Sequence, residues 1–315
     1  MIRSTSLILA TLVASLVLGA VPAVARHAIY PSGTPAPASA TTVTLFTLSL
    51  PPTGIPIPGD AGAQLMRSTW DLDAMVTVGA RAFPPAVEVD YVVAGKIAIR
   101  EQGPLLVAEV GPIGDLGDLR PVAQGTETVL DQGDIAVYQL AAPQEARNVG
   151  DTAATVVSVL IGVDDPDVVD PQAMASFDGV AFEQLGAFSS HDLAVVLADR
   201  SELTLRRTLL PAGSALPPYP FDPSAPDLLA VEAGTMEVGL DLDGDGTPEW
   251  WQSIQQHQAV NQLIGGTDRA IRAASDPQAG LESLPSGAGP KRGDPLIFLT
   301  LTFSGAPTDE ETPTS

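Results

Sequence analysis

Glycine and proline, 29 of each, cut this chain into short apolar runs rich in Val, Leu and Ile. A proline cannot donate to a strand ladder and a glycine marks a tight turn, so the pattern reads as many short strands joined by turns. That excludes a helical bundle and leaves a sandwich or a barrel. Predicted strands cover residues 75–78, 87–93, 96–100, 105–110, 135–139 and 155–161. A second series covers 193–198, 203–210, 228–232, 236–242 and 296–303. Between them, residues 164–192 are studded with Asp and Pro and read as an inter-domain connection, with one short helix over 172–177.

The two series resemble each other. In the first, Gly79 precedes a segment in which Glu88 enters a strand and Gly95 turns into the next. In the second, Gly213 precedes Asp227 and Gly234 at the same seven-residue separation. Each series closes alike: Gly150-Asp151 leads into TVVSVLI, and Gly293-Asp294 into PLIFLTL. Such constant spacing favours an internal duplication over chance recurrence of strand-turn-strand units.

Glu88 and Gly95 also have the spacing that ends the first motif of the cupin superfamily, which this chain resembles. That family's second motif is Gly, five residues, Pro-x-Gly, two residues, His, three residues, Asn. GDIAVYQLAAPQEARN runs from Gly133-Asp134 to Asn148 in register with it, with Gln139 for the Pro, Ala141 for the Gly and Gln144 for the His. The second unit keeps Asp227, Gly234 and Pro285-Ser286-Gly287, with Pro290 at the His position. The resemblance implies an all-β chain of two tandem cupin-type double-stranded β-helix (jelly-roll) barrels, expected to follow a cleavable signal peptide read from the N-terminal residues. The expected divisions are signal peptide 1–25, Pro/Ala/Ser/Thr spacer 26–42, first barrel 43–163, linker 164–192, second barrel 193–304 and acidic tail 305–315.

Cupin metal sites use three imidazoles and a carboxylate. Counted back from Glu88, the His-x-His pair falls on Ala82 and Pro84, and the third His on Gln144. In the second unit the corresponding residues are Phe221, Pro223, Asp227 and Pro290. His27, His191 and His257 are the chain's three histidines, placed beside the cleavage site, in the linker and in a Gln-rich segment. One carboxylate and one carboxamide compete poorly for a first-row transition ion, so no transition-metal cofactor is expected.

Without the metal, the resemblance points to the first barrel as a ligand cavity lined by Glu88, Gln144, Arg81, Tyr91 and Tyr138, with Arg147 nearby; no catalytic residue is assigned. The leading expectation is an exported, non-catalytic ligand-binding or structural module. A second is a metal-independent or atypical-metal enzyme with Glu88 as general base. A third is a calcium-stabilised cell-surface interaction or sugar-binding protein. It rests on Asp241, Asp243, Asp245, Thr247 and Glu249, which place hard oxygens around one turn in a spacing suited to structural Ca²⁺. Gln252 stands where a helix-loop-helix hand needs its bidentate Glu, so an acidic hairpin turn is the alternative. Trp250 and Trp251 follow, one expected in the core and one outside, where it can stack on a sugar.

The N-terminus carries Arg3, an apolar run from Leu7 to Leu18 and the triplet Ala23-Val24-Ala25, the pattern of a secretory signal cleaved after Ala25. A secreted, extracytoplasmic protein is therefore expected, with no membrane insertion of the mature chain. The chain has no cysteine, so stability must come from buried apolar area. With 15 Lys and Arg against 38 Asp and Glu, the net charge of −23 argues against nucleic acid and anionic lipid as partners. The expected partner is a small molecule or an envelope component, and the expected state a monomer or a cupin-type dimer.

Overall fold

The apolar runs become strands. The computed structural model describes residues 39–52, 55–57, 61–111, 116–162, 172, 174–189, 193, 201–216, 227–240, 248, 250–256, 258–261, 269–274 and 295–305. The first strands are β1 (Thr41–Leu50), β2 (Gly62–Val78), β3 (Ala86–Ala94), β4 (Ile97–Glu101), β5 (Leu105–Glu109) and β6 (Arg120–Val122). Next come β7 (Glu127–Leu130), β8 (Asp134–Gln139), β9 (Gln144–Asn148), β10 (Ala154–Gly162), β11 (Ala175–Phe188) and β12 (Ser201–Leu210). The last are β13 (Asp227–Ala233), β14 (Thr235–Leu240), β15 (Trp250–Gln255), β16 (Ala259–Asn261), β17 (Arg269–Ala273) and β18 (Leu296–Gly305).

One long sheet, ordered β6-β5-β8-β3-β10-β2-β9-β4-β7 with β11 added on β2, curls into a nearly closed barrel. The 17-residue β2 serves both walls. Residues 62–70 pair with β10 and residues 75–78 with β9, and Asp73, at φ 60°, lies in the bend between them. The second lobe is a sheet β1-β12-β18-β13-β16 facing a sheet β15-β14-β17. This is a pair of jelly-roll barrels, as the resemblance implies.

Side-chain alternation divides the interior into three cores. On β3, Val87, Val89, Tyr91 and Val93 face a core shared by both lobes, which also holds Phe46, Leu205 and Phe303. The other face of β3 turns Val92 into the first barrel, beside Trp70, Ile97, Ile99 and Ala146. The second barrel is filled by Leu229, Met236, Val238, Ile271 and Phe298 among others. Across the lobes, the T-shaped pair Phe188 and Phe303 has ring centroids 5.6 Å apart. Buried Glu232 accepts from Arg207 at 2.6 Å and lies 3.8 Å from Arg67, which is itself 2.7 Å from Glu183.

The expected divisions need correction at two points. Strand β1 does not complete the first barrel; it pairs antiparallel with β12 of the second. Residues 175–188 are not a linker and contain no helix; they form β11, which runs along β2 of the first barrel. Each unit thus gives its opening strand to the other lobe. The Asp- and Pro-rich flank and exposed outer face of β11 hid its strand character, because an edge strand need bury only part of its side chains.

Residue-level register supports the duplication. In the first lobe β10 sets Leu160 opposite Glu88 and Ser158 opposite Asp90. In the second, β18 sets Thr302 opposite Asp227 and Thr300 opposite Leu229. Both ladders skip one residue at the equivalent place, Val93 and Glu232. The exchanged strands match as well, with Leu45 of β1 and Leu185 of β11 each left out of register. Gly95 and Gly234 have φ of +81° and +84°. A Cβ at Gly95 would lie 2.6 Å from that of Ala154, and one at Gly234 would lie 2.8 Å from the Pro295 carbonyl oxygen, so both turns exclude a side chain twice over.

Candidate functional site

Residues two apart on a strand share a face, so β3 sends both Glu88 and Asp90 toward the interior of the first barrel. Tyr138 on β8 sits opposite Glu88, and Ser158 on β10 opposite Asp90. Asp90 is the hub. Its Oδ2 accepts from the Tyr138 hydroxyl at 2.8 Å, and its Oδ1 accepts from the Ser158 hydroxyl at 2.6 Å. Glu88 also donates to it. Both acids are half-buried and lie near the barrel end where the 79–85 loop crosses the 140–143 turn, with Arg81 N donating to Ala141 O at 3.0 Å.

Electrostatics follow from that placement. Burial pushes the Glu88 carboxyl well above the usual carboxylate range and the Asp90 charge pushes it further, while bonds from Tyr138 and Ser158 hold it back. Asp90 is raised by burial too, but the bonds it accepts from Ser158, Tyr138 and Glu88 oppose this. The two acids therefore titrate as a pair, with the retained proton on Glu88. Tyr138 is driven well above its ordinary value by burial, then by Asp90 and Glu88.

Of the residues expected to line a cavity, Glu88, Tyr138 and Gln144 face the barrel interior. Tyr91 does not: its place on β3 turns it into the shared core, where its ring centroid is 6.1 Å from that of Phe46. Arg81 is exposed in the 79–85 loop with φ 58°. Arg147 lies outside, on the outer face of β9, where it meets Glu127 at 2.8 Å. Met75, Arg100 and Glu145 join it there around a shallow groove of about 240 Å³. Asp90 and Ser158 were missed by sequence reading, although Asp90 was legible as the i+2 partner of Glu88. Asp241, Asp243, Asp245, Thr247 and Glu249 lie outside the described residues, as do all three histidines. The flanking strands β14 and β15 pair as a hairpin, with Leu240 opposite Trp250. Trp251 carries the Arg272 guanidinium over its ring at 3.8 Å, so it is not a bare stacking face.

The retained motif residue Asn148 has a structural use. Its Nδ2 donates to the carbonyls of Asp71 at 3.0 Å and Thr152 at 2.9 Å, and its Oδ1 accepts from Gly150 N at 2.9 Å. It ties the β9–β10 turn to the bend of β2.

The donor set does not fit the transition ion that the fold implies. At the first imidazole position, Ala82 packs its methyl group against the barrel core. Pro84 offers no donor atom, and Gln144 offers a carboxamide. Among the described residues no group of three or more His, Asp and Glu is placed to hold a metal ion. What the site does present is a carboxyl pair, a phenol and a hydroxyl in an apolar wall. That set can accept hydrogen bonds, attract a cation or move a proton.

No family model matches the chain, and no curated protein matches it. Solved structures do. A structure of procruciferin, an 11S globulin from Brassica napus, is similar over 82% of this chain and 84% of its own, at 11% identity and TM-score 0.39. Oxalate decarboxylase from Lactobacillus farciminis, as a formate complex, is similar over 79% and 78%, at 10% identity and TM-score 0.41. Quercetin 2,3-dioxygenase from Acinetobacter baumannii is similar over 76% and 73%, at 10% identity and TM-score 0.35. These are cupin-family structures. The likeness concerns the fold alone.

Proposed function

We propose that the chain is an exported, non-catalytic cupin-fold module that binds a small molecule or an envelope component through its first barrel. The observation behind this reading is the substitution pattern at the barrel end. Ala82, Pro84 and Gln144 replace all three imidazoles, while a hydrogen-bonded acid cluster on Glu88, Asp90, Tyr138 and Ser158 remains. Its carboxyl oxygens suit a ligand that brings hydrogen-bond donors, such as a hydroxyl-rich or amine-bearing compound. Metal analysis of protein purified without chelators tests the reading. Stoichiometric Fe, Mn, Ni or Zn would overturn it, whereas Ca²⁺ held by the loop of Asp241, Asp243, Asp245, Thr247 and Glu249 would not.

One observation favours an enzymatic alternative. A carboxyl pair with both members raised by burial, Glu88 the more strongly, is an arrangement suited to general acid–base chemistry. Under that reading Glu88 donates and recovers the proton, and Asp90 holds its position. Glu88→Gln separates the two: it abolishes turnover in an enzyme and changes only affinity in a binding module.

A further inference from the structure

Glu101 ends β4 and Gln144 begins β9, and the two are directly opposed in the antiparallel ladder. Both point into the first barrel, since Ile97, Ile99 and Ala146 on the same faces belong to its core. They are almost sealed from solvent, at 1% and 7% exposure. Glu101 Oε1 accepts from Gly103 N at 2.9 Å. Glu101 Oε2 and Gln144 Oε1 are buried with no hydrogen-bond partner. Two unpartnered acceptor oxygens on facing residues are each costly to bury. One proton placed between them removes both costs.

We propose that Glu101 holds a proton on Oε2 and donates it to Gln144 Oε1, forming a proton-dependent latch across the mouth of the first barrel. The latch stands where the end of the barrel is tied shut. Gln102 N donates to Pro143 O at 2.9 Å, Gly125 N donates to Glu101 O at 2.7 Å, and the 79–85 loop crosses the same turn. Burial pushes the Glu101 carboxyl up to about 7, with the N–H groups of Gly103 and Gln102 opposing. Charged groups nearby add nothing to that shift: Glu88 and Asp90 project from the facing wall, Arg81 lies in the loop above, and Arg100, Glu127 and Glu145 stand on the outer face. Ionisation sets a carboxylate against an amide oxygen, and the latch opens. The half-buried acid cluster behind it is then exposed further, whether that cluster binds or catalyses.

Amide hydrogen exchange of the full chain across a pH series, corrected for intrinsic chemistry, tests this. Residues 101–105 and 140–145 should open about tenfold more per pH unit between the ordinary carboxylate range and about 7, then level off. Glu101→Gln carries its own amide donor and should abolish that dependence. The Glu101 carboxyl carbon resonance should titrate near 7, and can be assigned through its response to Gln144→Leu if E101Q does not fold. Titration in the ordinary range near about 4.3, as expected if a buried water bridges an ionised Glu101 to Gln144, would overturn the proposal. So would exchange in the wild type as flat as in E101Q.

Discussion

The first and second barrels share one register and differ in what that register points inward. Where β3 carries Glu88 and Asp90, β13 carries Asp227 and Leu229. Asp227 still accepts from the Thr302 hydroxyl at 2.5 Å, but Leu229 belongs to the apolar core. Among the described residues, the change from Asp90 to Leu229 leaves the first barrel with a pair of acids on this strand and the second with a single acid beside an apolar core. A duplicated scaffold holds its shape through turns, bulges and shared packing, while interior polarity is free to diverge in each copy.

The largest test strikes what the barrels share. Phe303→Ala removes a ring that contacts both lobes and should cost about 3–5 kcal/mol. Thermal unfolding should still show one transition, since the core is common; two separated transitions would break the picture of interlocked lobes. The next test separates the copies. Glu101, Glu88 and Asp90 all have raised folded values, so the folded state holds more protons than the unfolded one. Their stabilising contribution is complete below the ordinary carboxylate range and is lost as pH rises through each folded value, about 7 for Glu101, which alone contributes on the order of 3 kcal/mol. Urea midpoints at pH 5 and pH 8 should show it, and Glu101→Gln should shrink it. A smaller effect checks the duplication. Gly95→Ala and Gly234→Ala should each cost about 1–3 kcal/mol, and the two losses should be similar. The smallest lies on the outer face, where Arg147→Ala should leave the urea midpoint unmoved, because an exposed ion pair contributes little.

Much of this was legible in the sequence. Gly95, Gly234 and the acids seven residues before them marked equivalent turns, because a left-handed turn under close packing admits no other residue. The absent imidazoles were equally plain. What stayed hidden depends on partners distant in sequence. Tyr91 lies next to Asp90 yet faces the other core, and only strand register decides which neighbour points where. Glu101 directly follows the predicted strand 96–100, and nothing local tells that Gln144 will lie opposite it. Strand β11 was mistaken for a connection because its pairing is to a strand roughly a hundred residues earlier.

The exchange of opening strands constrains how the molecule can be made. As the chain emerges during synthesis, β1 comes out before the other strands, but its ladder partner is residues 201–210, about half a chain length behind it. Until then a ten-residue ribbon with Phe46 and Leu48 on it has no sheet to join, and contacts of such long sequence separation form late and slowly. A nascent or truncated polypeptide ending before β12 would carry that sticky ribbon unpaired, which makes aggregation of partial chains, rather than loss of a single activity, the expected cost of interrupting translation.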